Sequence, residues 1–410
     1  MTDVLVIGGG PAGLACAIEL RRRGISDVVV IDRESRAGGI PRHCAHQGFG
    51  VRDLHRMLSG PSYARRYVEL ARRAGVDVRV EAMVTGWSSA GLPEVTSPEG
   101  REHLRAAAIV LATGCRERPR PARLVPGSRP EGVFTTGLLQ QLVELKSPAI
   151  GTRAVIVGAE HVSFSALLTL AHAGVEVAGM ATTLAWHQSL PGAGAVARLR
   201  YRVPVWTRTE LTEIRGLPRV EEVEVRDLDG GRTRAVPCDT VVFTGDWIPD
   251  HELAVLAGLE LDPGTRGPRI DAALRTSRKG FFAAGNLLQG AEPADVAALS
   301  GRHAGAAVTR WLNEGDPWPT PVPIVCSAPL QWISPNAVDG TGLPPRGHFA
   351  LRSSAFLRRP TLEIRQDGAL LWRGRLRRLV PGRSGHVPAT WLARVNLGGG
   401  GISVSAGNLH

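Results

Sequence analysis

Short apolar runs closed by glycine recur along this chain and predict alternating strands and helices. The first, Val4 to Ile7, is too short and too β-branched to begin a helix, so it reads as a buried strand. A helix follows over Ala12 to Arg23, then a second strand, Val28 to Ile31. The glycine-dense run from Glu34 to Leu54 reads as loop, and Ser59-Gly60-Pro61 opens a helix over Ser62 to Ala74 with its arginines outward. Val76 to Val84 reads as a strand, followed by a strand pair around Trp87 to Val95 and Leu104 to Leu111 that stops at Thr113-Gly114. From Arg153 the strand–turn–helix–strand pattern restarts, which is an internal repeat. Strands around Val205, Val220 to Arg226 and Thr240 to Thr244 close that repeat, and a helix over Val296 to Leu312 returns to the first unit. Beyond residue 315 the pattern changes. Pro317 to Pro323 reads as a linker, Thr361 to Leu376 as a hairpin turning at Asp367-Gly368, and Ala389 to Val404 as further strand.

The turn after the first strand carries the chemistry. Gly8, Gly10 and Gly13 form G-x-G-x-x-G, with Pro11 and Ala12 inside it. The first glycine permits the tight turn, the second lets backbone approach a pyrophosphate, and the third lets the helix pack on the strand. The helix N-terminus then directs N–H groups and partial positive charge at the phosphates. Asp32, followed by Arg33, ends the second strand about 20 residues beyond the last glycine, where a carboxylate accepts from ribose hydroxyls. Strand, glycines, helix, strand and acid together specify an adenine-dinucleotide site. Gly38 and Gly39 are expected to pass close to the ligand.

The repeat is damaged at the equivalent turn. Gly158 is kept, but Glu160 stands at the second glycine position and Ser163 at the third. A side chain at 160 blocks close approach, and its charge repels a pyrophosphate. Around Thr182, the run Gly179 to Trp186 has neither an acid for a 2′-hydroxyl nor an arginine for a 2′-phosphate. A Rossmann unit that has lost ordinary NAD(P) binding is the expectation; a variant site tolerating these residues is the alternative.

His43, Cys44 and His46 crowd one short stretch. A metal site there lacks a nearby fourth ligand, so no metal is assigned. They are candidate catalytic groups near the reactive end of a cofactor, or ordinary loop residues.

Composition narrows the class. At 410 residues, 43% of them hydrophobic and 21% charged, the chain accommodates two or three domains. No apolar run approaches the ~20 residues of a membrane span. The first strand starts at once, leaving no room for a signal peptide, so a cytoplasmic location is expected. Five scattered cysteines with no C-x-x-C argue against a disulfide framework or a dithiol redox pair. The net charge of +11 is almost all arginine, spread along the chain rather than interleaved with aromatics. Nucleic acid is therefore not the expected partner; an acidic protein or anionic substrate is compatible.

These motifs resemble the FAD-dependent pyridine nucleotide–disulfide oxidoreductases. In that superfamily the first glycine motif holds FAD, an A-T-G strand end lines it, and a late G-x-F-A-x-G-D carries an acid to the ribityl chain. The matching positions are Gly8, Gly10, Gly13, Asp32, Thr113, Gly114 and Gly280 to Asn286, with Asn286 in place of the acid. Its amide still hydrogen-bonds a hydroxyl. The stretches Gly38–Gly50, Ser59–Arg66 and Gly114–Gly137 are similar to the FAD subunits of heteromeric dye-linked amino-acid, opine or amine dehydrogenases and to flavoproteins paired with glycerol-3-phosphate dehydrogenases. Many such relatives carry a C-terminal cysteine cluster for an iron–sulfur centre, whereas here only Cys326 lies beyond Val322.

The resulting expectation is an α/β chain with two Rossmann-like dinucleotide-binding domains, the second inserted in the first, plus a small β-rich C-terminal domain. Residues 1–115 and 246–315 form the FAD domain, 116–245 the degenerate NAD(P)-type domain, and 316–410 the β-rich one. FAD is held by Gly8, Gly10, Pro11, Ala12, Gly13, Asp32, Arg33, Gly39, Thr113, Gly114, Gly285 and Asn286. The resemblance implies an FAD oxidoreductase subunit that passes electrons from a small amine, amino-acid or hydroxy substrate to a second dehydrogenase subunit or an external acceptor. A stand-alone NAD(P)H-dependent flavin reductase is the alternative.

Overall fold

Four fully apolar, buried positions, Val4–Ile7, place the first strand at the centre of a sheet. The computed structural model describes residues 2–146, 149–315, 317–340 and 342–407. The chain divides into two units. One comprises Met1–Arg42, Gln47–Arg116 and Ile248–His410, and the other His43–His46 and Glu117–Trp247. Residues 43–46 thus group with the second unit, and the β-rich C-terminal stretch groups with the first.

In the first unit β1 (Thr2–Ile7) leads through the glycine turn into α1 (Pro11–Arg22), then β2 (Val28–Ile31). Gly10 caps α1 and Pro11 starts it, where a missing N–H costs nothing. α2 (Gly60–Arg73) is capped by Ser59, whose Oγ accepts from Ser62 N–H at 3.4 Å. β3 (Asp77–Arg79) pairs parallel with β2. The expected strand Val76–Val84 is interrupted, because Glu81 takes a left-handed backbone (φ 53) and the chain turns out of the sheet. It re-forms as β4 (Met83–Trp87), which with β5 (Pro93–Ser97) and β6 (Gly100–His103) makes a three-stranded antiparallel sheet instead of the expected pair. β7 (Ala106–Leu111) returns beside β1 in parallel.

The second unit repeats the plan. β8 (Val133–Thr135), α3 (Thr136–Gln141), β9 (Arg153–Val157), α4 (His161–His172), β10 (Glu176–Ala181) and β11 (Val205–Trp206) precede three antiparallel strands: β12 (Thr209–Arg215), β13 (Glu222–Asp227) and β14 (Thr233–Pro237). β15 (Thr240–Phe243) then slots between β8 and β9, completing a five-stranded parallel sheet in the order β8-β15-β9-β10-β11.

Back in the first unit, β16 (Phe281–Ala283) pairs with β7 to give the order β16-β7-β1-β2-β3, all parallel. The 21-residue α5 (Ala294–Glu314) packs on α1 through glycines: a Cβ on Gly305 would lie 2.8 Å from the Cys16 carbonyl oxygen.

Pro317 to Pro323 is not a free linker. Trp318 packs edge-on against Phe282 with ring centroids 5.2 Å apart, and its indole N–H donates to the Thr276 carbonyl at 3.1 Å. β17 (Val322–Cys326), β18 (Leu330–Ser334) and β19 (His348–Ser353) follow. A long hairpin comes next, built of β20 (Leu357–Arg358), β21 (Thr361–Gln366), β22 (Ala369–Arg375) and β23 (Arg378–Leu379). β24 (Gly385–Pro388) and β25 (Ile402–Gly407) complete this part. Its core holds Trp391 against Phe349, centroids 4.9 Å apart. Trp391 lies in a helical turn, Thr390–Arg394, so the expected strand pattern from Ala389 is confined to β25. The cause is tertiary: burying one large indole there outweighs local strand propensity.

Candidate functional site

The glycine turn is built as its spacing requires. A Cβ on Gly8 would meet the Ala112 carbonyl oxygen at 2.3 Å, and one on Gly13 would meet the Gly8 carbonyl oxygen at 1.9 Å. Both positions are closed to any side chain. Gly10 differs: its Cβ would find only the Gly39 Cα, at 3.9 Å. Its glycine requirement comes from open space above the turn, the space a pyrophosphate needs. Gly39, at φ 63, lies over Gly10 and Pro11, and the Gly38 N–H donates to the Gly9 carbonyl at 2.7 Å. The loop therefore walls the same space.

Asp32 is buried, and its two oxygens accept from the Gly9 and Glu34 N–H groups at 2.8 and 2.9 Å. Burial raises its pKa, and those two hydrogen bonds oppose the rise. Each oxygen keeps a further lone pair for a ribose hydroxyl. Arg33, next in sequence, faces Asp250 at 3.6 Å. The Thr113 hydroxyl donates to the Asp250 carbonyl at 2.7 Å, and the Gly114 carbonyl accepts the Asp250 N–H at 2.9 Å. Asp250 thus pins the end of β7 and Arg33 together.

Gly285 has φ 75, and a Cβ on it would press 2.6 Å from the Ala12 Cβ, which brings β16's end to the start of α1. Its N–H donates to Ser300 Oγ. Asn286 uses its amide locally, donating to the Glu292 carbonyl at 3.2 Å and accepting the Glu292 N–H at 3.0 Å. The structure therefore gathers Gly8, Gly10, Pro11, Ala12, Gly13, Asp32, Gly39 and Gly285 around one turn, with Arg33, Thr113 and Gly114 at Asp250. An open, glycine-walled cradle with a buried ribose acceptor fits FAD.

His43, Cys44 and His46 belong to the other unit. His43 and Cys44 are buried, and the Cys44 thiol donates to Gln140 Oε1 at 3.2 Å. Burial, reinforced by the charges of Glu117 and Glu144, pushes Cys44 up to about 12, so it is a thiol and not a nucleophilic thiolate.

Several polar groups around the first-unit site were missed in the sequence. Asp295, 2% exposed in the first turn of α5, accepts from the Arg52 N–H at 3.1 Å and from its guanidinium at 3.0 Å. Asp53 accepts the hydroxyls of Tyr63 and Tyr67 at 2.5 and 2.6 Å. The i, i+4 tyrosines on α2 were the available signal. Arg352, from β19, donates to Glu292 Oε1 at 3.1 Å; no sequence signal linked residues so far apart.

In the second unit the equivalent turn is filled from within. The Glu160 N–H donates to Ser163 Oγ at 3.1 Å, and Glu160 Oε2 accepts the Ala159 N–H at 3.1 Å. That fold-back leaves the carboxylate against both neighbouring glycines, 2.9 Å from a Cβ on Gly158 and 2.7 Å from one on Gly245. Arg123 donates to the Thr244 and Gly245 carbonyls at 3.1 and 2.8 Å beside it. Thr182, at the ribose position, uses its N–H on the Trp206 carbonyl and its hydroxyl to accept from Leu184.

Such a pair of Rossmann units, the first with an open dinucleotide cradle, defines a two-domain flavoprotein. The chain belongs to the pyridine nucleotide-disulphide oxidoreductase family, whose model matches residues 2–301. It is an FAD-dependent oxidoreductase. It is 28% identical over 338 residues to an opine oxidase subunit of Rhizobium meliloti, covering 74% of this chain and 62% of the relative. It is 27% identical to hydrogen cyanide synthase subunit HcnB of Pseudomonas aeruginosa, covering 74% and 70%. The chain thus spans less than two thirds of the length of its opine oxidase relative. Among solved structures, thioredoxin reductase of Lactococcus lactis superposes with a TM-score of 0.64 at 18% identity, over 77% of this chain and all of that one. Among the described residues no helix is long and apolar enough to cross a membrane.

Proposed function

We propose that this protein is the FAD-containing subunit of a heteromeric dehydrogenase acting on a small amine, amino-acid or hydroxy substrate. It passes electrons to or from a second subunit or another acceptor protein. The observation that carries the reading is the carboxylate of Glu160 folded onto Gly158 and Gly245, where a nicotinamide dinucleotide would need its pyrophosphate. Two relatives are named as subunits, one of an opine oxidase and one of a hydrogen cyanide synthase, which supports the same reading.

FAD, when bound, supplies the hydride and one-electron chemistry. The chain's own residues would place it. Gly10 and Gly39 leave room for the pyrophosphate, the N-terminus of α1 faces the phosphates, and Asp32 takes the ribose. Asp295 and Arg52 fix the start of α5. Burial holds Cys44 as a thiol.

Anaerobic stopped-flow with NADH and with NADPH tests the reading. Neither should bleach the flavin at a useful rate. Rapid bleaching by either one moves the protein to the stand-alone reductase class.

A further inference from the structure

The net charge of the chain is concentrated in its C-terminal part. Residues 357–383 hold eight arginines against two acids, more than half of the chain's +11. Seven of them lie between Leu357 and Leu379, on a hairpin of two successive ladders: Leu357 faces Leu379 and Arg358 faces Arg378 in one, and Thr361 faces Arg375 in the other. Arg359 takes a left-handed backbone (φ 48) between the two ladders, and its N–H donates to the Arg377 carbonyl at 3.1 Å, which ties them together across that kink.

Directly opposed like charges destabilise an antiparallel ladder. The Arg358–Arg378 pair is therefore a cost that folding alone does not explain. Both acids are already engaged. Glu363 holds Arg365 at 2.9 Å and Arg373 at 2.5 Å, and Asp367 accepts the Gly400 N–H at 3.0 Å. Arg358, Arg359, Arg375, Arg377 and Arg378 are exposed, and none pairs with a carboxylate of the described residues.

We propose that this arginine-lined hairpin, centred on Arg358 and Arg378, docks an acidic protein surface. Guanidinium forks match carboxylates two bonds at a time, and a cationic face steers an acidic partner into register. Single-stranded nucleic acid is disfavoured because the strip offers no exposed ring for stacking: Trp372, the hairpin's indole, packs on the core. A lipid surface is disfavoured because Leu370 is the hairpin's one exposed large apolar side chain among the described residues. The inference rests on the reading that electrons pass through another protein, and it names the face that protein meets.

The test uses the full-length flavoprotein and labelled poly-L-glutamate, duplex DNA and phosphatidylserine vesicles as probes, at about 0.15 M salt. The wild type should bind polyglutamate more tightly than either other probe. R358E/R378E should weaken that binding roughly tenfold or more, with flavin absorbance unchanged. R72E/R73E, the same charge change on α2, should leave it intact. R358Q/R378Q gives the same reading if the reversed pair fails to fold. No polyglutamate binding, equal loss in the α2 control, or tighter binding to DNA or vesicles overturns the proposal. Because no electron transfer is involved, bleaching by NADH would sink the heteromeric dehydrogenase reading without altering this result.

Discussion

A Cβ on Gly301 would lie 1.9 Å from the carbonyl oxygen of Ala12, so α5 rests directly on the first turn of α1. That turn is the phosphate end of the dinucleotide cradle, and packing of one helix sets the position of the other. Gly301→Ala should push α1 away at a cost of about 1–3 kcal/mol, the usual range for overpacking. Flavin content, read as the ratio of visible to ultraviolet absorbance, should fall together with the melting temperature. Gly86→Ala, where a Cβ meets nothing within 4 Å, is the matched control and should change neither.

The open space at Gly10 makes a different prediction. The Cβ of a glutamate there meets no protein atom closer than 3.9 Å, so the chain should fold. Its charge would sit where the pyrophosphate belongs. Gly10→Glu should give soluble, colourless protein, and full flavin absorbance in that variant contradicts the cradle.

Glu160 offers the converse experiment. Charge-assisted hydrogen bonds are worth about 1.5–3 kcal/mol each. Losing two or three moves a micromolar nucleotide site toward millimolar or weaker. Glu160→Gly, alone or with Ser163→Gly, should therefore raise NADH affinity from undetectable to measurable by titration calorimetry. No gain would show that the missing ribose partner near Thr182 is sufficient to exclude the nucleotide.

His348 and His386 stack edge-on with ring centroids 4.2 Å apart. Burial, with His386 and Arg346 nearby, pulls His348 down to about 4, whereas a free histidine sits at ~6.5. Protonation is therefore harder in the folded state than in the unfolded one. The stability this group contributes is present above about 6.5 and is lost as pH falls toward about 4. His348→Asn should flatten the acid limb of a melting-temperature profile over that interval.

The first Rossmann unit was legible because its signals are local. Gly8, Gly10, Gly13 and Asp32 fall within one strand–helix–strand segment, and each has a steric or electrostatic reason to be what it is. The damage at Glu160 was legible for the same reason, although the fold-back onto Gly245 joins residues far apart. What escaped was long-range. Pro317–Pro323 has linker composition, and only the structure reveals Phe282 waiting for Trp318. The break at Glu81 depends on a backbone conformation that no side-chain pattern announces. His43, Cys44 and His46 drew attention by crowding, and the contact of Cys44 with Gln140 turns on a residue almost a hundred positions away.

Asn286 and Glu292 close their loop with two hydrogen bonds drawn wholly from the chain, at 3.2 and 3.0 Å. A cofactor arriving there does not have to order this loop, so uptake is expected to be a docking event and not a coupled folding one. Stripped protein should then regain its colour on simple mixing with FAD, in one phase whose rate rises linearly with FAD concentration. A slow, concentration-independent phase would place loop closure after binding.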